Sequence, residues 1–525
     1  MPKLPQINLA LAPQLLCLLA LSLFSGIAHS AVRDDVGYSR LVTELGHALP
    51  SGEGVKVFQI EAAVGESWLP NLKGREFSGK TISGQNARSP GVFSGHATSV
   101  ARRYYGKRSS FSPAVSDISA YNTETWFHDL YNLGSPFGAY PEPTDRQVAN
   151  HSWVGSGFVD ATGNFSARIT SDIFRLSDWF SATDEVVQVF GAANNDNYPA
   201  DNSKVLMASS FNGIAAGVSD HSHGYRVVPL DDIYQANRVA IHLVVPHAAT
   251  SYAAADIASA ATFLIDAAKQ NASWSESWTR NRNGDVILNA ERSEVVKAAL
   301  LAGAQRRTQN SSRKGDILDY RQKSLHRTSN GMDWRYGAGQ LNVYNSFQIL
   351  ASGESASIQD GGADNIGFHG FDHDESFGGA EGSNELAVYD LGIAQEQSAI
   401  VASLVWNLEV SGALNPDQRF DTNATLHNLD LELVELGYGV VMKSSSTRDN
   451  TENIWAMIEP GKHYQLRVTR PPSASPFVWD YAIAWRLDNP VVPVPIPMLP
   501  PGALLLLLLA IGVIAEFSIK RRAYG

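Results

Sequence analysis

The chain has 525 residues, a formal net charge of -12, 44% hydrophobic and 18% charged residues, and a single cysteine. An acidic balance of this size excludes nucleic acid as the natural partner, since phosphates would repel it. The length and apolar content allow two or three globular domains with a sizeable core.

At the N-terminus Lys3 precedes an apolar stretch, 15–24, and then Ala28-His29-Ser30 before Ala31. A basic start, a short apolar run and small residues three and one before a break predict a secretory signal peptide over 1–30, the run being short for a membrane span. An uncut anchor is the alternative. Cys17 lies inside this segment, so a chain beginning near Ala31 has no disulfide and no cysteine nucleophile.

From 50 to 350, β-branched runs at 55–60, 186–190 and 239–245 alternate with helical stretches such as the alanine-rich 252–269. The alternation predicts an α/β domain with a mostly parallel sheet, whose chemistry gathers at the carboxyl ends of the strands. A segment rich in Gly and Asp, 361–382, reads as a loop. After it, Leu429, Leu431 and Leu433, then Tyr464, Leu466 and Val468, then Trp479, Tyr481, Ile483 and Trp485 recur with period 2. That pattern predicts an antiparallel β-sandwich over 385–489.

The C-terminus, 491–525, combines a proline spacer at 491–497, an apolar run at 503–515 and Lys520-Arg521-Arg522. It resembles the sorting tails of some Gram-negative surface proteins, which implies membrane contact; a retained anchor is the alternative.

Hydroxyl chemistry needs a nucleophile, a base, a group that orients the base and donors for an oxyanion. Glu61 ends an apolar strand. His96 follows Ser94-Gly95 at the start of a helix-like stretch. Residues 189–195 end a strand in Asn194 and Asn195, and Ala249-Thr250-Ser251 runs into the alanine-rich helix. A helix N-terminus favours developing negative charge, although a serine there also serves as an N-cap. His247, four residues before Ser251, is a competing base.

This ordered set resembles the subtilase family of serine peptidases. His96, with Thr98, Val100 and Ala101, matches the family's histidine motif; Ser251, with Thr250 and Ala253, matches its nucleophile motif. Residues 148–155 look like its substrate-lining strand. The resemblance implies a subtilisin-like parallel sheet with flanking helices over 50–350, acting on protein or peptide substrates in the cell envelope, at the cell surface or outside the cell. It implies Glu61, His96 and Ser251 as the triad, Asn195 in the oxyanion hole, and Ser152 and Gly155 on the substrate backbone. Departures are present: Glu61 stands for the usual Asp, Ala249 for the Gly before Thr-Ser, and Ala255-Asp256 for Pro-His. They leave a second reading, a catalytically inactive surface binding or adhesion protein of the same fold. An α/β-hydrolase is excluded by the order of histidine before serine and by the lack of a Gly-x-Ser-x-Gly elbow.

No cofactor is expected. His221, His223, His369 and His373 form no regular ligand set and read as loop histidines. Structural calcium is implied only by the resemblance, since the acid-rich stretches 194–201 and 372–375 match no defined calcium loop. The sandwich resembles the small β domains that follow secreted bacterial peptidases, whose roles are secretion, substrate attachment or simple spacing.

Overall fold

The computed structural model describes residues 31–85, 91–131, 140–155, 158–160, 162–194, 207–413 and 420–488. The expected signal peptide and C-terminal tail lie outside the described residues. The chain up to Leu487 forms one compact unit.

Its first part is a parallel sheet of β1 (Val57–Glu61), β2 (Thr81–Gln85), β3 (Asp117–Asn122), β4 (Val148–His151), β5 (Val187–Gly191), β6 (Ile214–Val218) and β7 (Leu243–Val245). The spatial order is β2-β3-β1-β4-β5-β6-β7, and neighbouring strands run parallel. The helices are α1 (Tyr38–Leu45), α2 (Gly95–Tyr105), α3 (Ala167–Asp184), α4 (Thr250–Gln270), α5 (Ser293–Gly303) and α6 (Val343–Ala351).

Strands β1, β4, β5, β6 and β7 are buried at every position. That is why they read as near-continuous apolar runs, as strands covered on both faces do. Period 2 divides their side chains between two cores. Val57, Val148 and Val189 join Val100 of α2 and Ala254 and Leu264 of α4. Phe58, Ile60, Ala149 and Phe190 join Phe174 and Phe180 of α3 in a second, aromatic core. Glu61, four residues beyond Val57, therefore belongs to the face that carries α2 and α4.

The strand expected over 239–245 is shorter than its apolar run. Val239 donates its N–H to Asp449 at 3.0 Å, and the ring Nδ1 of His242 accepts from the Ala215 N–H at 2.9 Å. Side chains rather than a ladder satisfy those backbone groups, and β7 begins at Leu243.

The second part consists of β8 (His369–Phe377), β9 (Leu386–Ile393), β10 (Ser398–Val405), β11 (Asp430–Glu435), β12 (Gly439–Ser444), β13 (Thr451–Ile458), β14 (His463–Thr469) and β15 (Trp479–Asp488). Two four-stranded sheets, β8-β15-β10-β13 and β9-β14-β11-β12, pair antiparallel. They share a core containing Tyr389, Ile400, Leu431, Leu466, Ile483 and Trp485, so this part is an antiparallel sandwich.

Strand β8 lies inside the segment read as a loop, and His369 and His373 sit on it rather than in a turn. Its charges hid the strand because tertiary partners answer them. The Tyr389 hydroxyl donates to Asp372 at 2.5 Å. His373 Nε2 lies 3.0 Å from Glu294 and 3.7 Å from Asp480.

Helix α5 is buried at all of its positions, packed on the parallel-sheet side and against β10. A helix with no solvent face needs cover all round. The sandwich supplies part of it, and Arg486 of β15 donates to the Ala302 and Ala304 carbonyls at 2.7 and 3.1 Å.

At the other end of α5, Glu294, His373 and Asp480 bring possible metal ligands within 4.8 Å of one another. Arg292 already occupies the position a cation would take, with Nε 2.8 Å from Glu294 and Nη2 3.0 Å from Asp480. Burial opposes the charge on His373, but Asp480 and Glu294 outweigh it and lift its pKa to about 10. The folded chain thus holds this proton more tightly than the unfolded one. The resulting stability is fully present below the unfolded histidine value of about 6.5 and is lost as pH rises through about 10. His373→Gln should be less stable than the parent below about pH 6.5, and the gap should narrow steadily up to about pH 10 in urea denaturation series. A gap that stays constant with pH would show that the ring stabilises by packing alone.

Candidate active site

Glu61 is the last residue of β1, at the carboxyl edge of the sheet. Ser94 caps α2 by accepting the Ala97 N–H at 3.2 Å, which presents His96 from the first turn. Ser251 sits in the first turn of α4. The N-cap there is Ala249, with no side-chain capping bond, so the serine hydroxyl is not spent on capping.

These three side chains meet. His96 Nδ1 is 2.9 Å from Glu61 Oε2, and His96 Nε2 is 3.0 Å from Ser251 Oγ. His247 takes another partner, with its Nε2 2.6 Å from Asp256 Oδ2.

Two further residues hold the acid, and the sequence pattern did not single them out. Gln59 donates to Glu61 Oε1 at 2.8 Å and to the Ala97 carbonyl at 2.9 Å. Tyr105 of α2 donates its hydroxyl to Gln59 Oε1 at 2.6 Å. The available signal was a buried glutamine two residues before the acid, on the same face of an otherwise apolar strand.

Burial lifts the Glu61 carboxyl above the ordinary carboxylate range, against the hydrogen bonds from His96 and Gln59. The Glu61 contact likewise lifts the His96 imidazole above its ordinary value, against partial burial and the positive charge of Arg103. Tyr252 lies between the His96 ring and the Arg103 guanidinium. Its ring is stacked toward His96 at 6.1 Å, and the Arg103 guanidinium lies 3.9 Å from its centroid.

Asn195 lies outside the described residues. Its neighbour Asn194 is anchored directly beside the serine: its Oδ1 accepts from the Thr250 N–H at 2.8 Å and from the Thr250 hydroxyl at 3.0 Å. With the oxygen so engaged, the amide NH2 is the arm left to donate elsewhere. Ser152 is buried. It donates to the Ser251 carbonyl at 2.8 Å and accepts from Asn150 at 2.9 Å, so its hydroxyl braces the serine's backbone. Gly155 is half-buried near Trp153, on the segment that continues β4 past the sheet edge.

No protein-family model matches the sequence, and no curated protein matches it. Among solved structures, the prenylagaramide maturation protease PagA aligns with 60% of this chain and 98% of its own, at 12% identity and a TM-score of 0.35. A cold-adapted subtilisin-like serine proteinase aligns with 50% of this chain and 87% of its own, at 16% identity and a TM-score of 0.27. The pre-peptidase C-terminal domain of a collagenase from Bacillus anthracis aligns with 23% of this chain and 92% of its own, at 16% identity and a TM-score of 0.16.

The Glu61 contact makes a direct prediction about the histidine. Followed by ring-proton NMR, His96 should titrate above about 6.5 in the parent, and Glu61→Gln should move it downward. An unchanged titration would mean that the carboxylate is not felt by the ring.

Proposed function

We propose that the protein is an exported serine endopeptidase acting through a Ser-His-Glu triad. The observation that carries this reading is the continuous relay from Glu61 through His96 to Ser251, at 2.9 and 3.0 Å.

A neutral serine hydroxyl attacks poorly until a base stands within hydrogen-bond reach. Ser251 Oγ adds to the peptide carbonyl while His96 Nε2 takes its proton. Glu61 holds the Nδ1–H tautomer and stabilises the imidazolium that forms. His96 then returns the proton to the leaving amine, and water repeats the sequence on the acyl-enzyme. The glutamate serves in place of the more usual aspartate because its longer side chain is fixed at both oxygens, by His96 and by Gln59.

For the oxyanion we assign the amide of Asn194, the described neighbour of Asn195, together with the positive end of α4. The Thr250 anchor supports this choice, since a pre-oriented donor does not have to reorganise as charge develops. Peptide substrates would lie along 152–155, where the backbone of Ser152 and Gly155 offers an extended strand a partner beyond the sheet edge. Export by the 1–30 segment and membrane contact through 491–525 complete the reading, which places the enzyme in the cell envelope, at the cell surface or outside the cell.

A fluorophosphonate probe should label Ser251 in the purified mature protein, with the adduct mapped by mass spectrometry, and most labelling should vanish in Ser251→Ala and His96→Ala. No labelling of well-folded protein, together with no cleavage of a broad peptide library, would favour the binding-protein reading instead. The oxyanion assignment makes a separate prediction. Asn194→Ala should lower kcat by roughly a hundredfold to a thousandfold with little change in KM, because the donor acts on charge that exists only in the transition state. Unchanged kcat would transfer the role to another donor.

A further inference from the structure

The parallel sheet ends at β7, and the chain beside that edge encloses a cleft of about 390 Å³. Arg226, Arg238, Arg335 and His326 line it, and among the described residues no carboxylate does. Such a wall is unexpected in a chain with a net charge of -12. The volume is within the usual range for small-ligand sites.

Two of these groups are buried in the wall with donors to spare. Arg238 is 3% exposed; its Nη1 donates to the Ser209 carbonyl at 2.8 Å and its guanidinium covers the Phe211 ring at 3.4 Å, but its Nε has no partner. Burial disfavours its charge, although Asp449, Asp178 and Asp231 act on it from outside the cleft. His326 is 2% exposed, and among the described residues neither ring nitrogen has a hydrogen-bond partner. Its closest acid, Asp333, stands 3.7 Å from Nδ1, beyond hydrogen-bond reach. Buried polar groups in native folds are nearly always satisfied, so these two mark a polar, positively charged layer directly behind the cleft wall.

Apart from Asn237 and the Tyr225 hydroxyl, the rest of the lining is apolar. Trp334 offers a flat ring, and Leu325 at the rim is 79% exposed. Arginine is suited to planar carboxylates through paired N–H donors, while the ring and the leucine suit a hydrocarbon body. We propose that this cleft is a binding site for a carboxylate joined to an apolar body, the carboxylate held by Arg226 and Arg335 at the accessible surface of the cleft and the body laid against Trp334 and Leu325. Arg238 precedes β7 whereas Ser251 follows it, so the arginine and the nucleophile enter from opposite ends of the same strand. The site is separate from the triad and does not depend on the peptidase reading.

The test is calorimetric titration of the full-length Ser251→Ala protein, in which no peptide bond would be cut through Ser251. The ligands are N-acetyl-L-leucine, a pentapeptide ending in leucine with a free carboxylate, the same peptide amidated, and inorganic phosphate. Both free carboxylates should bind, and amidation should weaken the peptide by about tenfold or more, as loss of a charged hydrogen-bond partner does. Arg226→Gln and Arg335→Gln should each weaken N-acetyl-leucine by a similar factor. Leu325→Ser, at a rim position that leaves the core untouched, should weaken it severalfold even if an arginine variant folds poorly. Tighter binding of the peptide would assign the site to chain ends, and equal binding to free carboxylates; either supports the proposal. Absence of binding up to about 10 mM, equal binding of the amidated peptide, or undiminished binding in the variants would overturn it. Phosphate binding as tightly as N-acetyl-leucine would overturn the role of the apolar body.

Discussion

A carboxylate withdrawn from water must have its charge answered by neighbours, and at Glu61 the answer comes from His96 and Gln59. This constraint ties the site to the fold. Gln59 reaches Glu61 only because both project from the same face of β1, and it is itself held by Tyr105 on α2, the helix that also carries His96. Moving α2 relative to β1 would break the acid's support and the base's orientation together. The histidine's place is therefore set by strand-helix packing as much as by its own hydrogen bonds. The same face receives α4, which brings Ser251 to the other ring nitrogen.

Much of this arrangement was legible in the sequence. Apolar runs marked strands buried on both faces, and an acid, a histidine and a serine at the ends of such elements had few other places to go than the carboxyl edge of one sheet. The residues that escaped reading act through contacts distant in sequence. Gln59 resembles any polar residue in a strand until Tyr105 and Ala97 are placed beside it. Asn194 shows its hold on Thr250 only once the start of α4 is placed beside the end of β5. Strand β8 escaped for the opposite reason: His369, Asp372, His373 and Asp374 read as solvated, whereas Tyr389, Glu294 and Asp480 make a buried strand tolerable.

The glutamate illustrates how a departure from a familiar pattern can be structurally neutral. A longer acid in place of aspartate would misplace the histidine if it pivoted freely. Here one oxygen is occupied by Gln59 and the other by His96, and the carboxyl is fully enclosed. The rotamer freedom that a glutamate normally retains is removed by its surroundings. Packing thus holds one Glu61 oxygen at hydrogen-bond distance from His96 Nδ1.

The sandwich enters this argument through α5. That helix lies in the same core as α4, and its far side is covered by β10. Arg292 and His373 join its N-terminal end to β8 and β15 through Glu294 and Asp480, and Arg486 holds its C-terminal carbonyls. Asn407 adds a hydrogen bond to Glu294 at 3.0 Å, while Trp479 donates to the Asn407 carbonyl at 2.8 Å. Both ends of one buried helix are thus fastened by the second part of the chain, and the opposite side of that helix supports α4, which bears Ser251. Loosening the sandwich would expose an apolar surface on α5 and remove the partners of a buried arginine and histidine, a cost that falls on the core behind Ser251. The two parts are covalently consecutive but energetically one body, and the geometry of the serine is a property of both.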